Sequence, residues 1–104
     1  MAEGMTSTEE RLAAQYVSVL GFVSRCAQAI NEGNWAYLDD KVGQLDRATH
    51  TLAKTTSDIW EKVHAGGPPP RAEVVRAAVE SWGRHYRAGR LLHPDPLTAG
   101  EGGR

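Results

Sequence analysis

The sequence predicts an all-α protein: an antiparallel helical hairpin with a third helix folded back on it, a three-helix bundle with seams long enough to dimerise. Two apolar rows carry that prediction. Leu12, Tyr16, Val19, Val23, Cys26 and Ile30 alternate at three and four residues, as do Trp35, Leu38, Val42, Leu45, Thr49, Leu52, Thr56, Ile59 and Val63. An average spacing of 3.5 residues holds a row on one side of a helix, so each is a coiled-coil-like seam that needs cover from other helices. Helix-breaking residues supply the rest: Gly33 and Asn34 divide the two rows, and Gly66, Gly67, Pro68, Pro69 and Pro70 close the second.

The first helix is expected over about 8–32. Ser7 and Glu10 fit a capping box at its start, the hydroxyl taking an orphan amide while the carboxylate reaches back. Gly33 is its natural stop, giving a rod of roughly 37 Å. Ala13, Val17, Leu20 and Ala27 flank the seam on one side and Phe22 and Ala29 on the other, an arc wide enough for two neighbours. Ala14, Ser18 and Gly21 on the back are small enough to admit a close-packed helix or to stay wet.

Asn34 caps the second helix, about 34–65, immediately after Gly33. So short a connection makes the two helices antiparallel neighbours. Thr49 and Thr56 place hydroxyls in the second seam, which suits a bundle better than a long self-sufficient coiled coil. A third helix is expected over about 71–88, burying Val75, Ala78, Val79, Trp82 and Tyr86 and stopping at Gly89, with Gly83 inside it as a point of kinking or early termination. Residues 1–92 thus form one helical domain, and 93–104, with two prolines and three glycines, read as a flexible tail.

At 104 residues with 40% hydrophobic content the chain is a folded domain near the size where a single core is marginal, a pressure that a dimer relieves. Its net charge of −1 is uneven: residues 1–70 carry six Lys and Arg against nine Asp and Glu, and residues 71–104 carry six against four. Such a balance does not make a general polyanion binder. The single Cys26 forbids an internal disulfide and suits a reducing compartment, and neither a cleavable leader nor a membrane span is evident, so a cytoplasmic location is expected.

Several residues could carry chemistry. Arg84, Arg87 and Arg90 cluster with His85 beside Trp82 and Tyr86, a combination that suits phosphate contact and base stacking. Glu73, Arg76, Glu80 and Arg84 follow at three and four residues and are expected to pair along the helix, and cations near a helix C-terminus also favour its dipole without a ligand. Cys26 falls on a seam and reads as a small buried hydrophobe. His50, His64, His85 and His93 lack the spacing of a zinc site, and no nucleophile elbow or phosphate-cradling glycine loop is present.

Glu61-x-x-His64 resembles the half-motif of ferritin-like di-iron proteins, which implies a metal site completed by carboxylates of a facing helix. The hairpin brings Glu9 and Glu10 toward that end and leaves Glu32 roughly 40 Å away. Glu61 and His64 nevertheless continue a polar row with His50, Lys54 and Ser57, half a turn from the seam, so a solvated face is expected and no cofactor is assigned.

The leading expectation is a non-catalytic helical interaction or assembly module, a homodimer or a docking partner of another protein. Trp60, Trp35, Trp82 and Tyr86 are its candidate contact residues, Trp60 standing about 100° from the Ile59/Val63 seam. An anion- or nucleic-acid-binding protein using Arg84, Arg87 and Arg90 is the alternative, and a ferritin-like metal-binding protein is the third reading.

Overall fold

A computed structural model describes residues 4–84 as three helices: α1 (Ser7–Glu32), α2 (Trp35–His64) and α3 (Ala72–Trp82), with no strand among the described residues. The chain is all-α, as its periodicity predicts.

Each helix end has a local chemical cause. The capping box of α1 forms one residue earlier than expected, between Thr6 and Glu9 rather than Ser7 and Glu10. Thr6 Oγ1 accepts from the Glu9 N–H at 3.1 Å, and Glu9 Oε1 accepts from the Thr6 N–H at 2.9 Å. Both registers satisfy the pattern; the second carboxylate oxygen of Glu9 is held by Arg71 at the start of α3, which selects this one.

At the turn, Gly33 adopts φ 67°, the left-handed conformation that costs a side chain least when the residue is glycine. Its N–H donates to the Ile30 carbonyl at 3.1 Å and the Asn34 N–H to the Ala29 carbonyl at 2.9 Å, the double bond of a Schellman motif. Asn34 Oδ1 then accepts from the Tyr37 N–H at 3.1 Å and opens α2.

α1 and α2 run antiparallel. Leu12 and Tyr16 share a groove with Leu52 and Thr56, while Gln15, Ser18 and Phe22 share another with Gln44, Arg47, Ala48 and Thr51. α1 touches both neighbours, and α3 rests on α1 rather than on α2. Gly83 ends α3, its N–H donating to the Val79 carbonyl at 2.8 Å, so the helix is shorter than the 71–88 expected. A Cβ on Gly83 would stand 2.9 Å from that carbonyl, a close approach that only glycine allows without displacement, and would meet Val17 and Leu20 at ordinary contact distance. The expected tail and the remainder of the third segment lie outside the described residues.

The interior is built from small residues. Ala13, Cys26, Ala27, Ala29 and Ala78 are its buried apolar members, and Gly21 is buried with them. Cys26 is thus the small buried residue that its seam position predicts.

The two seams do not close on each other as expected. In α2, Leu38, Leu45, Leu52 and Ile59 are half-buried, whereas Trp35, Val42, Thr49 and Thr56 stay exposed. Thr55 is buried instead, with Lys41 and Ala48 half-buried along its row. The face turned to α1 is therefore rotated by about 50° from the seam axis, at 100° per residue. Which face of α2 meets α1 depends on the shapes of both helix surfaces packed together, not on the period of either one alone.

Candidate functional site

The rotation leaves part of each seam facing outward on the same side of the hairpin. Along α1 the outward positions are Tyr16 and Ile30, with Val23 half-buried between them; along α2 they are Trp35, Val42, Thr49 and Thr56. Tyr16 is 43% exposed, Ile30 45%, Val42 47% and Trp35 64%, values that place large apolar groups in water. Steps of seven residues return to nearly the same helical angle, so these side chains line one continuous trough between α1 and α2. At its lower end α3 supplies a third wall, and Leu12, Tyr16, Leu52, Thr56, Val75 and Val79 enclose about 510 Å³. Arg76 and Glu80 stand on the α3 wall, and Asp39 and Asp46 lie on exposed positions flanking Val42 on α2.

The lower end is locked by a contact that sequence reasoning missed. Glu9 is only 2% exposed and is the largest fully buried side chain of the described residues. Its carboxylate accepts from Arg71 three times: from the backbone N–H at 2.8 Å, from Nε at 2.9 Å and from Nη2 at 2.7 Å. Arg71 Nη2 also donates to the Gly4 carbonyl. The guanidinium bonds, followed by those from the Thr6 and Arg71 backbone, hold the Glu9 carboxyl far below the usual range for Glu, and the same ion pair raises Arg71. Thr6, Thr8, Ile59, Lys62 and the Pro68–Pro70 strap surround the pair. The only local signals were the choice of two acids after Thr6 and an Arg directly after three prolines.

The predicted contact residues fall at different places. Trp35 stands at the upper end of the trough. Trp60 is 63% exposed near the opposite end of α2 and meets His64 in a tilted ring contact with centroids 4.4 Å apart, so it docks no third helix. Trp82 is 42% exposed rather than buried; it shares the face of Ala78 and Val79 but is the last residue of α3, where the helix stops. Tyr86, Arg87 and Arg90 lie outside the described residues, as do His85 and His93.

Arg84 is exposed and donates through Nε to the Ser81 carbonyl at 3.3 Å. The expected pairing of Glu73, Arg76, Glu80 and Arg84 is not formed: among the described residues the ion pairs are Glu9–Arg71 and Asp40–Lys41. Glu61 and His64 are exposed, and Glu9, expected to face them, is turned to Arg71. No group of three or more His, Cys, Asp or Glu among the described residues is placed to hold a metal ion. No helix of the described residues is long and apolar enough to cross a membrane.

No protein-family model matches the chain, and neither does any curated protein or solved structure. The trough and its charged rims are therefore the basis for a functional reading.

Proposed function

We propose that the chain is a non-catalytic helical assembly module that docks a partner along the trough between α1 and α2, coiled-coil fashion, in a reducing compartment such as the cytoplasm. The supporting observation is the exposed row of Tyr16, Ile30, Trp35 and Val42, apolar at heptad spacing yet covered by no other part of the described chain. An apolar surface of this extent marks an interaction site in soluble proteins, and a docking helix with its own heptad repeat has the right periodicity to fill it. Trp35 and Tyr16 have the residue types that anchor interfaces.

Site-specific photo-crosslinking tests this reading. A photoreactive side chain at Val42 should give a discrete cross-linked species in the native host, while the same group at Asp58, an exposed position of α2, gives none. Equal labelling at both positions, or none at Val42, overturns the proposal.

A further inference from the structure

The hairpin has a second groove, on the side of α1 and α2 turned away from the trough. Gln15, Ser18 and Phe22 of α1 face Gln44, Arg47 and Thr51 of α2 across about 420 Å³. Steps of seven residues extend both walls: Ser18 lies between Arg11 and Arg25 on α1, and Arg47 between Asp40 and Lys54 on α2. The same rows reach Glu32 at the turn, and Asp58 and Glu61 at the other end, so acids stand at the ends and bases in the middle.

Arg11, Arg25, Arg47 and Lys54 are exposed, and none is in an ion pair among the described residues. Asp40, by contrast, is held by Lys41 at 3.4 Å and by Gln44 at 3.2 Å. From Arg11 to Arg25 the basic stretch runs roughly 21 Å at 1.5 Å per residue. Asp39 and Asp46 lie on the trough side instead, so folding sorts the charges of a chain whose net charge is only −1.

The centre of the groove is neither bare nor saturated. Phe22 is half-buried there, with the Arg25 guanidinium 5.9 Å from its ring centroid. Gln15 Oε1 is buried with no hydrogen-bond partner among the described residues. An acceptor buried without a donor is costly, and a ligand N–H that reaches it recovers the loss.

We propose that this groove binds a short stretch of single-stranded nucleic acid. Arg11, Lys54, Arg47 and Arg25 contact its phosphates, a base enters beside Phe22, and the Gln15 amide, turned to the opening, accepts from a base amine. The aromatic ring and the free acceptor suit a nucleobase, where a plain polyanion would use the charges alone. A membrane surface would call for apolar side chains standing clear of the rim, and Phe22 does not. In a duplex the bases are stacked away from the protein and cannot enter.

The test is fluorescence anisotropy of a labelled single-stranded oligonucleotide of mixed sequence against the full chain, with circular dichroism checking that each variant is folded. Four phosphate contacts predict binding that weakens about fiftyfold between 50 and 200 mM salt. Arg25→Glu with Arg47→Glu should weaken it by about tenfold or more, and Phe22→Leu by about fivefold or more, while heparin binding ignores Phe22→Leu. Arg84→Glu, on the far side of α1, should change nothing. No binding at 50 mM salt overturns the proposal, as does binding indifferent to the Arg25 and Arg47 reversals or lost with Arg84 instead. A duplex bound as tightly as the single strand, or an oligonucleotide indifferent to Phe22→Leu, leaves a plain anion-binding face and overturns the nucleic-acid assignment. Cross-linking at Val42 reads the trough on the other side, so the docking module and this groove fail separately.

Discussion

The Glu9 carboxylate holds Arg71 by the backbone N–H, Nε and Nη2 together, across 62 residues of chain. One side chain therefore completes the first turn of α1, receives the residue that opens α3, and closes the triproline strap into a ring. Arg supplies two side-chain donors in one plane where Lys would offer a single ammonium.

Glu9→Gln is expected to lower the thermal midpoint by several degrees at neutral pH, because the amide keeps the shape but not the charge. Since the folded carboxyl titrates below its ordinary 4.5, the pair's contribution is whole above that pH and drains away as pH falls through the folded value. Thermal melts from neutral to acid pH should show a loss of stability beginning near 4.5 in the wild type, and a flatter acid limb in Glu9→Gln. Parallel curves would contradict the assignment.

Gly33→Ala should destabilise the hairpin by about 1–2 kcal/mol, because alanine at φ 67° brings Cβ toward the following carbonyl oxygen. Asn34→Ala, which removes the cap to Tyr37, should cost about 1 kcal/mol. Chemical denaturation of the two variants checks both, and the turn is legible in the sequence because all of its determinants are local.

Gly83→Ala should cost roughly 1–3 kcal/mol, since the new methyl would stand 2.9 Å from the Val79 carbonyl on the side facing Val17 and Leu20. Hydrogen exchange should report it as faster opening of α3 with α1 and α2 little changed. Uniform loss of protection would mean that α3 is not a separable element.

Leu45→Ala and Val42→Ala separate the two halves of the α2 seam. At a dilution that keeps the chain monomeric, the half-buried Leu45 should cost roughly 1–3 kcal/mol and the 47% exposed Val42 less than about 0.5. Equal costs would mean that the seam is buried as a whole.

The lengths of α1 and α2, their antiparallel turn and the buried position of Cys26 were legible because periodicity and capping act within a few residues of themselves. The same logic left the capping register open, since Thr6–Glu9 and Ser7–Glu10 satisfy one rule equally well. It also carried α3 through Gly83, because helical spacing continues past that residue, while the tight approach of Gly83 to the Val79 carbonyl that caps the helix does not show in the spacing.

By itself the sequence determined that this chain makes amphipathic helices, where they begin and end to within a turn or so for α1 and α2, and that their apolar rows outnumber the neighbours available to cover them. Only the tertiary structure decided which part of each row is covered, because the rotation of α2 against α1 is a property of two helices together. It also decided that Glu9 meets Arg71 across the open end of the hairpin. Heptad spacing states which residues share a side of a helix; which side meets a neighbour and which meets water is settled when the helices pack.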